Sequence, residues 1–98
     1  MKINLQSNGF SKHSELFSRT VAERISVDFC DDGMTIELKV DKTISAAESF
    51  LICCDNNSWS IIGSDELGLY FGIGKFLHTA KWGEKDFVPK ATNGVHPL

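Results

Sequence analysis

The residues that first suggest chemistry form a glycine-rich run, Gly68-Leu69-Tyr70-Phe71-Gly72-Ile73-Gly74-Lys75. A phosphate-binding loop would place four residues between its first glycine and its Gly-Lys pair, followed by a Ser or Thr that binds magnesium. Here five residues separate them and Phe76 follows the lysine. The dinucleotide fingerprint fails as well, because Leu77 occupies its third glycine position. We therefore interpret Gly68 and Gly72, one helical turn apart, as positions where a helix packs closely on a sheet, and we expect no cofactor.

Histidine and cysteine side chains form no recognisable metal or nucleophile pattern. His13, His78 and His96 have no second ligand at a chelating spacing such as i, i+4. Cys53 and Cys54 are adjacent, so in a strand they point to opposite faces and cannot hold one ion together. No Gly-x-Ser-x-Gly nucleophile elbow occurs. We expect neither a metal-binding nor a catalytic residue, and we predict that this chain is not itself an enzyme.

Three aromatic residues could stack on a sugar or a base, namely Trp59, Tyr70 and Trp82. An exposed ring offers a large contact area at a low entropic cost, which suits carbohydrate binding. Packing in the core is the alternative, and the more usual one for rings in such elements. Trp82 is the least committed of the three, because it lies at the predicted end of a helix.

The composition limits the class of protein. With 98 residues, of which 42% are hydrophobic, the chain fits one globular domain but leaves little room for a deep substrate cavity. Its net charge is −3 and no basic block occurs, which disfavours a nucleic-acid partner. No run of 18 apolar residues predicts a membrane span.

Cysteine usage bears on the compartment. The three cysteines are an odd number without a disulfide-framework spacing, so we expect reduced thiols. The N-terminal residues lack the apolar core of a signal peptide. Both features favour a cytoplasmic location, unless the chain is an excised fragment of an exported protein.

The first half of the chain predicts a strand, a helix and a hairpin. Residues 3–5 alternate as in a strand, and Ser11 or Ser14 is expected to cap a helix that runs to about Arg24. Two alternating runs within residues 25–40 flank Asp32-Gly33, which suits a type I′ turn. That hairpin would pair the core residues Phe29 with Ile36 and Val27 with Leu38, and it would give Gly33 a positive φ.

A second hairpin is predicted around Asn56-Asn57, since Asn tolerates the left-handed conformation of a tight turn. This register pairs Cys54 with Trp59, Ile52 with Ile61 and Leu51 with Ile62. Leu51, Cys53 and Ile62 then share a face that no predicted helix covers. We predict a contact surface there, unless the connection between residues 40 and 48 crosses and seals it.

The remaining pattern completes an α+β fold. Ser64 is expected to cap a helix over residues 65–81, and Gly83 is placed to end it. We predict a mixed or antiparallel sheet of about five strands with two helices packed on one face. The domain would span residues 1–82, and residues 83–98 would form a linker or strap towards a following domain.

Residues 48–77 resemble the small N-terminal domain that precedes the catalytic barrel in β-N-acetylhexosaminidases and α-glucuronidases. The resemblance lies in a strand pair followed by Asp65, Gly68, Tyr70 and Gly72 at the start of a hydrophobic helix. It implies a non-catalytic accessory domain of a carbohydrate-active enzyme, because in these glycoside hydrolases the catalytic carboxylates stand on the barrel. The barrel of the parent protein would be the partner.

The residues also leave a second function open, a stand-alone binding module. Such a module would bind carbohydrate through Trp59 or Trp82, or a protein through the face that carries Leu51, Cys53 and Ile62. A barrel-length continuation of the reading frame would support the accessory domain, and a stop codon would support the module.

Overall fold

The computed structural model describes residues 1–44 and 47–91 as an α+β fold. Its elements are β1 (Lys2–Gln6), α1 (Ser11–Ala22), β2 (Asp28–Phe29), β3 (Met34–Val40), β4 (Phe50–Asp55), β5 (Ser58–Gly63), α2 (Glu66–Thr79), β6 (Lys81–Trp82) and β7 (Phe87–Val88). The first five strands form one mixed sheet in the order β2-β1-β3-β5-β4, and β6 pairs with β7. The predicted fold class is confirmed. Within the described ranges, no helix has both the length and the apolar character needed to cross a membrane.

The hairpin predicted within residues 25–40 is wrong. β2 and β3 instead pair with opposite edges of β1, both parallel to it, so that Ile3 lies beside Phe29 on one edge and beside Met34 on the other. Neither the Phe29–Ile36 pair nor the Val27–Leu38 pair forms. The physical reason is that α1 connects β1 to β2 as a crossover. A crossover of this kind brings the chain back to the same end of the sheet, so β2 runs parallel to β1.

The short connection from β2 to β3 crosses β1 on the face opposite the buried side chain of Ile3. The N–H of Cys30 donates to the Ile3 carbonyl (2.9 Å), and the side-chain amide of Asn4 donates to the Asp31 carbonyl (3.4 Å). The predicted positive φ of Gly33 is also wrong. A Cβ at Gly33 would collide with the backbone of Ile3, so the glycine permits the close crossing.

The hairpin of β4 and β5 is confirmed, with every predicted pair in register. Asn56 and Asn57 form its turn with φ values of 51° and 64°. On its other edge, β5 runs parallel to β3, with Leu38 beside Ile61. The two-residue turn and the alternating strands therefore produce an antiparallel ribbon, which the tertiary fold joins to a parallel half-sheet.

Both helix starts differ from the predicted ones. Neither Ser11 nor Ser14 caps α1, which follows Phe10 without any side-chain cap and ends at Ala22 rather than Arg24. The cap of α2 is Asp65, whose Oδ1 accepts a hydrogen bond from the N–H of Gly68 (2.7 Å).

The side chain of Ser64 has a different role from the predicted cap. Its hydroxyl oxygen accepts from the N–H of Ser49 (3.0 Å) and so ties the start of β4 to the end of β5. At its other end α2 stops at Thr79, earlier than predicted, because Ala80 is extended and residues 81–82 form β6. Gly83 therefore lies beyond the helix end instead of forming it.

The core lies between the sheet and the two helices. Its fully buried large side chains include Ile3, Phe17, Ile36, Leu38, Ile52, Ile61, Leu69, Ile73 and Phe76. The segment predicted as a linker contributes to this core through Phe87, which is 3% exposed. Residues 92–98, the rest of that predicted linker, lie outside the described residues, so the domain boundary stays a prediction.

Candidate functional site

The sequence-predicted contact surface lies on the sheet face opposite the helices. Leu51 lies directly beside Ile62 on the neighbouring strand, and Cys53 lies beside Ser60. Leu51, Cys53 and Ile62 are each half-buried. The fold therefore brings these three side chains together at one corner of the sheet. The alternative was that the connection between residues 40 and 48 seals this face, and residues 45 and 46 of that connection lie outside the described residues.

The remainder of this open sheet face is polar. Glu37 and Lys39 form an ion pair at 3.1 Å, and Lys39 lies beside Ile62 in the register of β3 and β5. Glu37 also accepts a hydrogen bond from the side-chain amide of Asn8 (3.2 Å). The apolar area is thus confined to the corner on β4 and β5. The Glu37–Lys39 ion pair borders this corner.

The two tryptophans lie apart from this corner. Trp59 belongs to the helix-covered face, is only 8% exposed and contacts Phe76 edge-on, with ring centroids 5.8 Å apart. Trp82 is half-buried, and its indole N–H donates to the Leu77 carbonyl (3.0 Å). The guanidinium of Arg24 covers the Trp82 ring at 4.7 Å from its centroid. These contacts explain both rings by packing, and Trp59 offers no exposed face to a sugar.

The structure gives His13 a role that the sequence analysis missed. This side chain is 5% exposed, its Nε2 hydrogen-bonds to the Glu66 carbonyl (2.9 Å), and its ring stacks on Tyr70 with centroids 3.9 Å apart. It therefore joins the first turns of α1 and α2. The available signal was its position four residues before Phe17 and eight before Val21, on the buried face of α1.

A shallow cavity of about 380 Å³ lies beside this junction. It is lined by Gly9, Phe10, Ser11, Lys12, His13, Glu66 and Tyr70. The buried polar contact of His13 is directed to a backbone carbonyl, which is a structural use of the imidazole. Among the residues that the structure describes, no group of three or more His, Cys, Asp or Glu side chains could hold a metal ion.

Three carboxylates in the described part of the chain have lowered pKa values for structural reasons. The Cys30 thiol and then the Lys2 ammonium lower the pKa of Asp32 by hydrogen bonding, and the same hydrogen bond raises the pKa of the Cys30 thiol. A thiol with a raised pKa is a poor nucleophile, because the thiolate is the reactive form.

The other two lowered carboxylates serve turns and caps. The Thr43 hydroxyl lowers the pKa of Asp41, to which it donates at 2.6 Å. The backbone N–H groups of Gly68 and Glu48 lower the pKa of Asp65. Each of these acids thus holds a local backbone conformation.

Comparison with known proteins finds similarity in structure only. No protein-family profile and no curated protein matches the chain. One solved structure with a similar fold is described as a GH138 enzyme targeting pectin rhamnogalacturonan II. The match has a TM-score of 0.65 and 19% sequence identity, and it covers 80% of this chain and 13% of that chain. At this identity the similarity shows the fold alone, as a small part of a much longer glycoside hydrolase chain.

Proposed function

We propose that this chain is a non-catalytic accessory domain of a glycoside hydrolase and that it packs against the catalytic domain of the parent protein. The observation that carries the proposal is the shared fold, which covers 80% of this chain but only 13% of a GH138 enzyme. Most of that enzyme lies outside the shared part. A domain of this kind stabilises or orients its neighbour by contact.

The chemistry of the acidic side chains supports the same proposal. Glycoside hydrolysis uses two carboxyl groups that face each other across the sugar, on the order of 5 to 10 Å apart. Here Asp65 caps α2, and Glu37 pairs with Lys39. Asp32 pairs with Lys2 at 3.1 Å. The carboxylates of these three residues are therefore already bound by partners within the fold.

The finer proposal is a parent enzyme of the β-N-acetylhexosaminidase or α-glucuronidase type. The motif that carries this resemblance has a structural use at each position. Asp65 caps α2, Gly68 and Gly72 meet the sheet, and Tyr70 stacks on His13. An accessory domain would need these residues for its own fold, independently of any substrate.

The size of the native protein tests the proposal against a stand-alone module. Antibodies raised against the purified chain would be used on extracts of the source organism, and the captured polypeptide would be identified by mass spectrometry. We expect a protein long enough to include a catalytic barrel, which adds roughly 250 residues. A native polypeptide of only 98 residues would overturn the accessory-domain proposal in favour of a carbohydrate- or protein-binding module.

Activity of the isolated chain gives a second test. We expect no turnover of aryl hexosaminides or aryl glucuronides by the purified protein. Turnover that survives repurification and disappears when one carboxylate of this chain is replaced, for example in Glu66→Gln, would contradict a purely structural role.

A further inference from the structure

Two cavities meet at the end of the sheet where the parallel strands β1 and β3 finish. The first, about 380 Å³, follows β1 and is lined mainly by residues 9–13. The second, about 620 Å³, follows β3 and includes Val40 and Lys42. Phe10 and Glu66 line both cavities, so the two adjoin each other.

The strand order explains why a crevice opens at this place. From β1 the chain passes through α1 to β2 on one side, and from β3 it passes to β4 on the other side. In open sheets built on parallel strands, ligands bind outside the carboxyl ends of two neighbouring strands whose connections diverge in this way. The two cavities lie at such a junction, because β1 and β3 are neighbours and parallel.

His13 contributes an unused hydrogen-bond acceptor to the first cavity. Its Nε2 bonds to the Glu66 carbonyl (2.9 Å), and since a carbonyl oxygen only accepts, Nε2 carries a proton. In the neutral ring Nδ1 is then an acceptor, and it has no hydrogen-bond partner among the described residues. Every fully buried side-chain nitrogen or oxygen in the described ranges has a partner, so Nδ1 is not sealed inside the protein. The side chain is only 5% exposed, and the cavity that it lines is the space that Nδ1 reaches.

Donors and a further acceptor line the rest of this cavity. The Phe10 carbonyl accepts the first intrahelical bond of α1 and no side chain caps the helix, so the N–H groups of residues 11–13 have no partner within it. Lys12 adds an ammonium group and Glu66 adds a carboxylate, and within residues 1–44 and 47–91 neither group belongs to an ion pair. Tyr70 is half-buried, as is Phe10, and both rings supply apolar area.

This mixed lining favours a neutral ligand that is rich in hydroxyl groups. An anion would be repelled by the Glu66 carboxylate, and a cation would be repelled by the Lys12 ammonium. A hydroxyl group both donates and accepts, so it can bond to Nδ1 of His13 as well as to the free N–H groups. The C–H groups of a pyranose ring would pack on the aromatic area of Phe10 and Tyr70.

We propose that this junction cavity, defined by Phe10, Lys12, His13, Glu66 and Tyr70, binds one neutral pyranose unit of an oligosaccharide. Nδ1 of His13 accepts a hydrogen bond from one of its hydroxyl groups. The adjoining cavity gives room for the next sugar unit. The choice of a sugar among hydroxylated molecules rests on the proposed function. The accessory domain would thereby hold a substrate chain near the catalytic domain without cleaving it.

The first test titrates the ¹⁵N-labelled full chain with three neutral sugars and follows amide chemical shifts. The probes are the methyl β-glycosides of D-glucose, D-galactose and N-acetyl-D-glucosamine. We expect at least one of them to give saturable shifts centred on residues 10–13, Glu66 and Tyr70. Glycerol and sodium acetate are the comparison ligands, the first for any polyol and the second for any anion. Neither should reproduce these shifts.

The imidazole nitrogens of His13 give a readout that a purely structural histidine would not move. Their ¹⁵N signals are recorded at alkaline pH, where the ring is neutral. We expect the proton on Nε2, and we expect the Nδ1 signal to move in step with sugar binding. A proton on Nδ1, or an Nδ1 signal that does not respond to a bound sugar, would contradict the proposed acceptor.

Two exposed positions test the junction cavity without disturbing the core. Glu66→Ala and Lys12→Ala should each weaken sugar binding about tenfold, because each removes a charged partner of a hydroxyl group. Glu66→Ala retains the backbone carbonyl to which His13 bonds. Glu15→Ala and Lys75→Ala are the matched controls. They remove the same charges at exposed positions outside the cavity and should leave the affinity unchanged.

Several results would overturn the inference. These are the absence of saturable shifts with all three glycosides, an equal response to glycerol, tighter binding of acetate, equal affinity in all four variants, or shifts centred on Trp82 or on Leu51, Cys53 and Ile62. Failure here is distinguishable from failure of the proposed function. A long native enzyme whose isolated domain binds no glycoside would remove only the sugar site. A native polypeptide of 98 residues that binds the glycosides would remove the accessory role and leave the site.

Discussion

The two helices lie on the same face of the sheet but are held there in different ways. Helix α2 approaches the strands through Gly68 and Gly72, where backbone meets its neighbours without an intervening side chain. Helix α1 has no such glycine and is anchored by the fully buried side chains of Phe17 and Val21. One helix is therefore positioned by the shape of its backbone, and the other by side-chain volume.

Their first turns differ in the same sense. Asp65 caps α2 and accepts hydrogen bonds from two backbone N–H groups. Helix α1 has no side-chain cap, and its first turn is held instead by its own His13, which is buried against α2. Helix α1 should therefore be sensitive to loss of side-chain volume, and α2 to gain of volume and to loss of its cap.

The largest expected effect is on α1. Phe17→Ala removes a fully buried ring that packs 6.0 Å from the ring of Phe76. We expect the free energy of unfolding to fall by about 3 to 5 kcal/mol, measured by urea denaturation. Leu67→Ala, at a position 44% exposed, is the control and should change little. Equal stability of the two variants would show that α1 is not anchored by Phe17.

The next effect concerns the inner face of α2. Gly72→Leu, and likewise Gly68→Leu, should lower the free energy of unfolding by about 1 to 3 kcal/mol, because the new side chain overpacks the contact with the sheet. Gly74→Leu is the matched control on the outer face of the same helix. If chemical denaturation showed both inner-face variants to be as stable as the parent, close packing would not explain these glycines.

A smaller effect is expected from the cap of α2. Asp65→Ala should destabilise the protein, whereas Asp65→Asn should retain most of the cap, since Asn is an equally good N-cap residue. The folded state lowers the pKa of Asp65, so its contribution is present above the unfolded pKa of about 3.9 and is lost as pH falls through the folded value. Thermal melts from pH 7 to pH 2 should therefore show a shallower acid loss for Asp65→Asn than for the parent. Parallel curves would contradict this role.

The smallest effect has the opposite sign. Gly74→Ala should raise the free energy of unfolding of the isolated chain by about 0.5 to 1 kcal/mol, because alanine favours the helix and its methyl group meets open space. Gly72→Ala is the contrasting variant and should not stabilise, since its Cβ would press on Ile61. Guanidinium unfolding of both variants measures the difference between the two faces of α2.

Local sequence patterns were enough to predict the second hairpin and the helix after it. Asn56 and Asn57 fix a two-residue turn, and the alternation beside it sets the register that brings Leu51, Cys53 and Ile62 onto one face. The helix that follows was predicted to within a few residues, together with the close approach of its inner glycines. These features depend on residues that are near each other in the chain, where turn chemistry and periodicity act directly.

The choice of neighbouring strands in the first half of the chain depended on contacts between distant segments. An alternation within residues 25–40 fits a hairpin and two separate parallel strands equally well, because a period of two specifies the buried face and not the partner. The partner was decided by β1, which lies more than twenty residues earlier and accepts β2 and β3 on its two edges. In the same way, the burial of Trp59 and the isolation of Gly74 depend on where α2 lies on the sheet. Such contacts join distant segments, and their free energy exists only once the whole layer has formed.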